Sequence, residues 1–214
     1  FFTPLDGYPD IAVVSKSADQ TMNIGGGWHT DHSYEAAPAM GSILVERELP
    51  RSGGDTYFAN LSKAFKGLDP EMQTKLMGLK AVHSNDHIYG EGGYYDHTDQ
   101  ADNLGGRDAV GKAIHPIVIA HPETSAPILY VNPAHVTEII GYSDHDTKAL
   151  LTSLYEHAAK DEFTYRFIWE EGSVAMWDNR STWHMAMNDY QGEARLMHRI
   201  TLKGLTLSAA EGYA

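Results

Sequence analysis

The 214-residue sequence contains no cysteine. Disulfides, iron–sulfur clusters and thiolate zinc sites are therefore excluded, since each needs that side chain. It also has no apolar run approaching the roughly 18 residues that a membrane helix needs. Positive charge is scarce: Lys and Arg total 16 against 29 Asp and Glu, a formal net charge of −13. So acidic a surface argues against nucleic acid and against an anionic membrane, whose phosphates would repel it. Signal peptide, internal repeats and low-complexity tracts are missing too, which leads to the expectation of a cytoplasmic protein. The chain opens FFTPLDGYPD with no initiator Met, so a native N-terminal segment is expected to be absent from this sequence.

What is present fits a globular protein. Apolar residues make up 42% and charged residues 21%, and residues 1–214 are long enough to fold as a single domain around a real core. Short strand patterns recur, in DIAVVS (10–15), GSILVERELP (41–50), AIHPIVIAHP (113–122), APILYVNP (126–133) and ARLMHRITLKG (194–204). Residues 51–60 read as a Gly-Gly turn followed by a short β segment. Residues 163–190 read as two strands around a Glu-Gly turn, with a third segment near His184. Two helical stretches interrupt the strands. Residues 61–79 carry Ser62 as the expected N-cap, Asp69-Pro70 as a break and restart, and Gly78 as a stop. Residues 143–160 carry Ser143 as N-cap, Asp146 at the capping-box position, and a stripe of Leu150, Leu151, Leu154 and Ala158. The fold class this implies is mainly β with helical insertions, a sandwich or barrel. Residues 84–108 are polar, glycine-rich and without period, which fits either an active-site lid or a surface loop.

The chemistry concentrates in GGGWHTDHSY (25–34). In an extended segment His29 and Asp31 would point to the same face, with Thr30 and His32 opposite. That arrangement is half of a metal site, or a satisfied polar turn. Twelve histidines is a high count, and histidine is the commonest metal ligand. His184, in the Trp-rich polar segment WDNRSTWHMAMNDY, is the best distal partner. Two histidines and one carboxylate form a facial set that leaves positions open at iron. In ARLMHRITL, Arg195 and Arg199 share one strand face with Met197 between them, while Leu196, His198, Ile200 and Leu202 take the other. Two guanidiniums on one face fit bidentate anion recognition, or two salt bridges to surplus carboxylates.

The run of WHTD, GGDT, WDNRxxxH and RLMHR, in that order from about residue 23 to residue 204, resembles the TauD/TfdA family. These are Fe(II)- and 2-oxoglutarate-dependent dioxygenases on a double-stranded β-helix, a jelly-roll, cupin-like core. The resemblance implies that His29, Asp31 and His184 hold the iron. It implies that Arg195, eleven residues after the distal histidine, binds the far carboxylate of 2-oxoglutarate with the Thr56 hydroxyl of GGDT. It places Arg199 on an anionic group of the primary substrate, Trp177 beside the iron pocket, and Tyr130 where an aromatic ring packs on substrate. It also implies O2 as a co-substrate and a homo-dimer or tetramer as the assembly. The carboxylate of Asp31 argues for oxygen insertion, since related halogenases lack it to make room for halide.

Two departures bear on the substrate. Taurine-specific members carry an Asn where this chain has Gly25, and a small apolar residue where it has His32. Both positions are therefore candidate substrate contacts, and the glycines at 25–27 are expected to let backbone pass close to substrate. The expected reaction is hydroxylation of a small organic anion, a sulfonate, sulfate ester or carboxylate, with release of succinate and CO2. An oxygenase of the same family acting on an amino-acid-like substrate is one alternative. A metal-dependent hydrolase or isomerase on a cupin-like fold would leave Arg195 and Thr56 without a joint task, and a metal-stabilised binding module would gain stability from metal while consuming no oxygen.

Overall fold

Regular alternation in ARLMHRITL becomes the middle strand of the largest sheet. The structure, a computed structural model, describes residues 3–101 and 110–211. In chain order, β1 (Pro4–Leu5), β2 (Tyr8–Lys16), β3 (Gly41–Glu48) and β4 (Thr56–Asn60) precede helices α1 (Leu61–Lys66) and α2 (Pro70–Leu76). β5 (Lys80–Ser84) runs into the short helix α3 (Asp86–Tyr89). Next come β6 (Lys112–Pro116), β7 (Val118–Ala120), β8 (Pro127–Leu129), β9 (Val136–Ile139) and the long helix α4 (Asp144–Ala158). The last four strands are β10 (Thr164–Phe167), β11 (Val174–Asp178), β12 (Thr182–Ala186) and β13 (Arg195–Leu202).

The described strands pair antiparallel. The order β1-β2-β13-β3-β11 makes a five-stranded sheet, β10-β4-β12 and β6-β5-β9 make three-stranded sheets, and β7-β8 is a pair. The architecture is mainly β with helical insertions, as the strand and helix patterns predict. Two cores hold it. Leu44, Ala175, Trp177 and Met197 of the five-stranded sheet meet Trp169, with Phe58 and Phe167 of β4 and β10 packed against them. These two sheets thus face each other. Helices α1 and α4 cover the second and larger core, built around Leu61, Phe65, Leu154 and Trp183 with strands β5, β7 and β8.

Local chemistry sets three of the helix starts. Asp69 accepts from the Met72 N–H at 2.9 Å with Pro70 in the first turn, and Ser143 accepts from the Asp146 N–H at 3.1 Å. One cap differs from the sequence reading. Asn60 caps α1 by accepting from the Lys63 N–H at 2.9 Å, and Ser62 instead donates to the Pro127 carbonyl. The turn at Glu171-Gly172 does not close a hairpin: β10 pairs with β4 and β11 with β3, so the chain crosses there from one sheet to the other.

Candidate active site

Two backbone hydrogen bonds bring the distant histidines together. The His29 N–H donates to the His184 carbonyl at 3.1 Å, and the His184 N–H returns to the His29 carbonyl at 3.0 Å. The isolated bridge brings the two imidazoles together, tilted by 49° with ring centres 4.0 Å apart. Asp31 completes the group: its Oδ1 lies 3.6 Å from His29 Nε2 and its Oδ2 lies 3.5 Å from His184 Nε2. One potential ligand atom from each residue falls within 4.8 Å of the others. The segment is not the extended strand expected from the His-x-Asp spacing. His29 makes a single bridge and Asp31 begins a turn, so alternation does not position the pair. Asn179 does. Its Oδ1 accepts from the Asp31 N–H at 2.9 Å, and its Nδ2 donates to the carbonyls of Asp31 at 2.8 Å and Ala39 at 2.9 Å.

The donor set suits a divalent metal. Burial pushes His29 down from the ordinary histidine value, against the pull of Asp31, and pushes His184 down further, with His29 adding to the effect. Both rings are neutral ligands near pH 7 as a result. His29 Nδ1 sits 2.8 Å from the Gly27 carbonyl, which assigns the proton to Nδ1 and leaves the Nε2 lone pair facing Asp31. Burial alone would raise the Asp31 carboxyl, but Arg199, His184 and His29 hold it well below the usual carboxylate range. Arg199 Nη2 donates to Asp31 Oδ2 and to Ser42 Oγ, and Ser42 in turn donates to the same oxygen. Asp31 Oδ1, turned toward His29, has no such bond among those described.

Arg195 lines the same cavity as the triad. It is 6% exposed, yet its Nε and Nη2 have no hydrogen-bonding partner. An unpaired guanidinium held away from water is costly unless an anion meets it. Thr56 lines the same cavity, and its hydroxyl oxygen accepts from Trp169 Nε1 at 3.0 Å, leaving the hydroxyl proton free to point elsewhere. The Arg195 guanidinium rests 5.7 Å from the Trp169 ring centre. Gly54 makes this packing possible: a Cβ there would come within 3.2 Å of Arg195 Cδ, on backbone at φ +71°.

The remaining predicted residues divide. Trp177 lines the cavity and packs its ring 4.7 Å from that of His184. Gly25 lines it too, at φ +80°, and a Cβ there would meet His29 Cε1 at 3.2 Å. Its missing side chain makes room first for the His29 imidazole. His32 was expected to face away, but it takes a left-handed backbone at φ 55° and its ring joins the cavity wall, with Nδ1 2.8 Å from Glu35. Tyr130 is not brought to the cavity. Its strand carries it into the helix-covered core, 1% exposed, against the rings of His83 and His115.

Sequence reasoning missed His135 and Tyr89, both in the cavity wall. His135 follows a strand in a run with no motif, and burial pushes it down to about 3. Its Nδ1 bonds Ser33 Oγ at 3.0 Å. Tyr89 ends helix α3, inside the segment read as a lid or loop. That segment is tied to the glycine loop: the Gly25 N–H donates to Tyr95 Oη at 3.1 Å, and Asp99 accepts from Thr21 and Met22. Residues 102–108 of the expected lid lie outside the described residues. A second cluster, His121, Glu123 and Asp178, surrounds the Arg180 guanidinium, which bonds both carboxylates and so already supplies the cation.

The family profile described as "Taurine catabolism dioxygenase TauD, TfdA family" matches residues 1–201. The chain belongs to the TauD/TfdA family. Among its relatives, an alkylsulfatase of Acinetobacter baylyi is 37% identical over 187 residues, covering 86% of this chain and 59% of that protein. An alpha-ketoglutarate-dependent sulfate ester dioxygenase of Pseudomonas putida is 36% identical over 204 residues, covering 94% of this chain and 66% of that protein. The solved structure of a taurine dioxygenase from Burkholderia xenovorans superposes with a TM-score of 0.77 at 34% identity, covering 99% of this chain and 71% of that one. The chain therefore spans less than two thirds of either curated relative's length.

Proposed function

We propose that this member of the TauD/TfdA family is an Fe(II)- and 2-oxoglutarate-dependent dioxygenase that hydroxylates a small organic anion. The substrate class is a sulfonate, a sulfate ester or a carboxylate, and the products include succinate and CO2. One observation carries the reading: the His29, Asp31 and His184 group shares a cavity with the buried, unpartnered guanidinium of Arg195. A hydrolytic metal site would give Arg195 and Thr56 no joint task. The facing antiparallel sheets around the cavity support a double-stranded β-helix core.

His29 and His184 would offer neutral nitrogens, and Asp31 one carboxylate oxygen, to Fe(II). The metal, when bound, supplies the redox chemistry that couples oxidative decarboxylation of 2-oxoglutarate to hydroxylation of the substrate. Arg195 and the Thr56 hydroxyl would take the distal carboxylate of 2-oxoglutarate and so fix its orientation. Arg199 has a double task in this reading. Its Nη2 holds Asp31, and its Nε, which has no partner, is offered to the substrate anion. Trp177, Leu44 and Val14 give the cavity apolar walls that exclude water and strengthen each charge contact.

A screen of sulfonates, sulfate esters and carboxylates tests the proposal. The iron-loaded protein should form succinate from 2-oxoglutarate and O2 faster with at least one of them, and the Arg195→Gln variant should need far more 2-oxoglutarate. Protein shown to bind iron that forms no succinate with any of the three classes would overturn it.

A further inference from the structure

The β2–β13 register places a second cation beside Arg195. Lys16 is the direct cross-strand partner of Arg195, so both side chains leave the same face of the sheet. Two pairs further along, Met197 lies opposite Val14, a cavity residue, so this face looks inward. Lys16 is 2% exposed, and its Nζ has no hydrogen-bonding partner. The ammonium lies over the face of the Tyr190 ring, 4.6 Å from its centre, and the exposed Asp19 carboxylate, which accepts from Ser17 Oγ, acts on it only through space. The Asp55 carboxylate, the acidic group that acts on Arg195, is already bonded to Arg166 at 2.6 Å.

Like charges directly opposite in an antiparallel pair repel, and each unpaired charge loses its hydration on burial. Among the described residues no carboxylate hydrogen-bonds either cation, so both are left to gain from an anion that reaches them. We infer that Lys16 is a second cation for the distal carboxylate of the 2-oxo acid, acting with Arg195 to select dicarboxylates. This rests on the 2-oxoglutarate reading above. A carboxylate has two oxygens: Arg195 offers a planar fork and Lys16 a compact, movable point charge. The aromatic face of Tyr190 would hold the ammonium until the anion arrives.

Calorimetric titration of Mn(II)-loaded protein with 2-oxoglutarate and with 2-oxopentanoate, which lacks the second carboxylate, tests this. Lys16→Met should weaken 2-oxoglutarate binding by about tenfold to a hundredfold, the loss of one charge-assisted contact, and should leave 2-oxopentanoate within about threefold. Lys16→Arg should restore most of the 2-oxoglutarate affinity. Because Lys16→Met removes an unpaired buried charge, its melting temperature without ligand should equal or exceed that of the unaltered protein. A lowered melting temperature with unchanged 2-oxoglutarate affinity would make Lys16 a packing residue only and overturn the inference, leaving the 2-oxoglutarate reading standing. If the unaltered protein takes up neither 2-oxo acid, both fall together.

Discussion

Asn179 closes three hydrogen bonds onto backbone, two of them to Asp31. It touches no substrate-facing surface, yet it decides where the carboxylate of the triad points. Removing the amide in Asn179→Ala leaves a buried N–H and two carbonyls unsatisfied, at about 1–3 kcal/mol. Metal affinity should fall by about tenfold to a hundredfold, the usual cost of losing a group that orients a ligand. Titration of apoprotein with Mn(II) checks this, and an unchanged affinity would show that Asp31 is held by other means. Gly25 makes a comparable contribution through absence. An alanine there meets the His29 ring on left-handed backbone, so Gly25→Ala should destabilise the fold by about 1–2 kcal/mol and weaken metal binding, measured by thermal melts with and without Mn(II). The glycine therefore bears on the histidine before it bears on substrate range.

Helix α4 is an element whose start was legible residue by residue. Ser143 caps it, and Leu150, Leu151, Leu154 and Ala158 are buried. Ser143→Ala should cost about 1 kcal/mol in a melting experiment and leave metal binding alone, since the cap lies outside the cavity. Strand β13 was legible too, because period-2 alternation needs no partner to be read: Arg195, Met197 and Arg199 face inward. The His29–His184 bridge was not. It joins residues 155 positions apart through backbone groups that every residue carries, so no side-chain pattern announces it. The same blindness hid the sheet change between β10 and β11. A Glu-Gly turn reads alike whether its strands pair with each other or with strangers. His135 and Tyr89 went unread because neither sits in a motif. Tyr130 was misplaced because an aromatic after a strand fits a pocket wall as readily as a core. Arg199 was legible as an inward cation, but the sequence could not show that it bonds Asp31.

The assembled protein hides histidines that the unfolded chain exposes. His135 is pushed down to about 3 by burial, from an ordinary value of 6.5, and His83 and His115 shift the same way for the same reason. Between these values the unfolded chain binds protons that the folded one refuses. The stability each group adds is therefore complete above about pH 6.5 and is lost as pH falls below it. Melting temperature should drop between about pH 7 and about pH 5, and His135→Gln should flatten that slope; an unaltered slope would mean that His135 is protonated in the folded state. The formal net charge is −13, yet Arg195, Arg199 and Lys16 keep positive charge inside.

The reading of the cavity as a 2-oxo acid site beside a two-histidine, one-carboxylate metal centre stands or falls on a single spectrum. Apoprotein mixed anaerobically with Fe(II) should gain a weak visible charge-transfer band when 2-oxoglutarate is added. His29→Ala should abolish the band, and Arg195→Gln should shift its appearance to higher 2-oxoglutarate concentration. Protein that demonstrably binds Fe(II) but shows no band at any 2-oxoglutarate concentration would contradict the assignment of both the metal centre and Arg195.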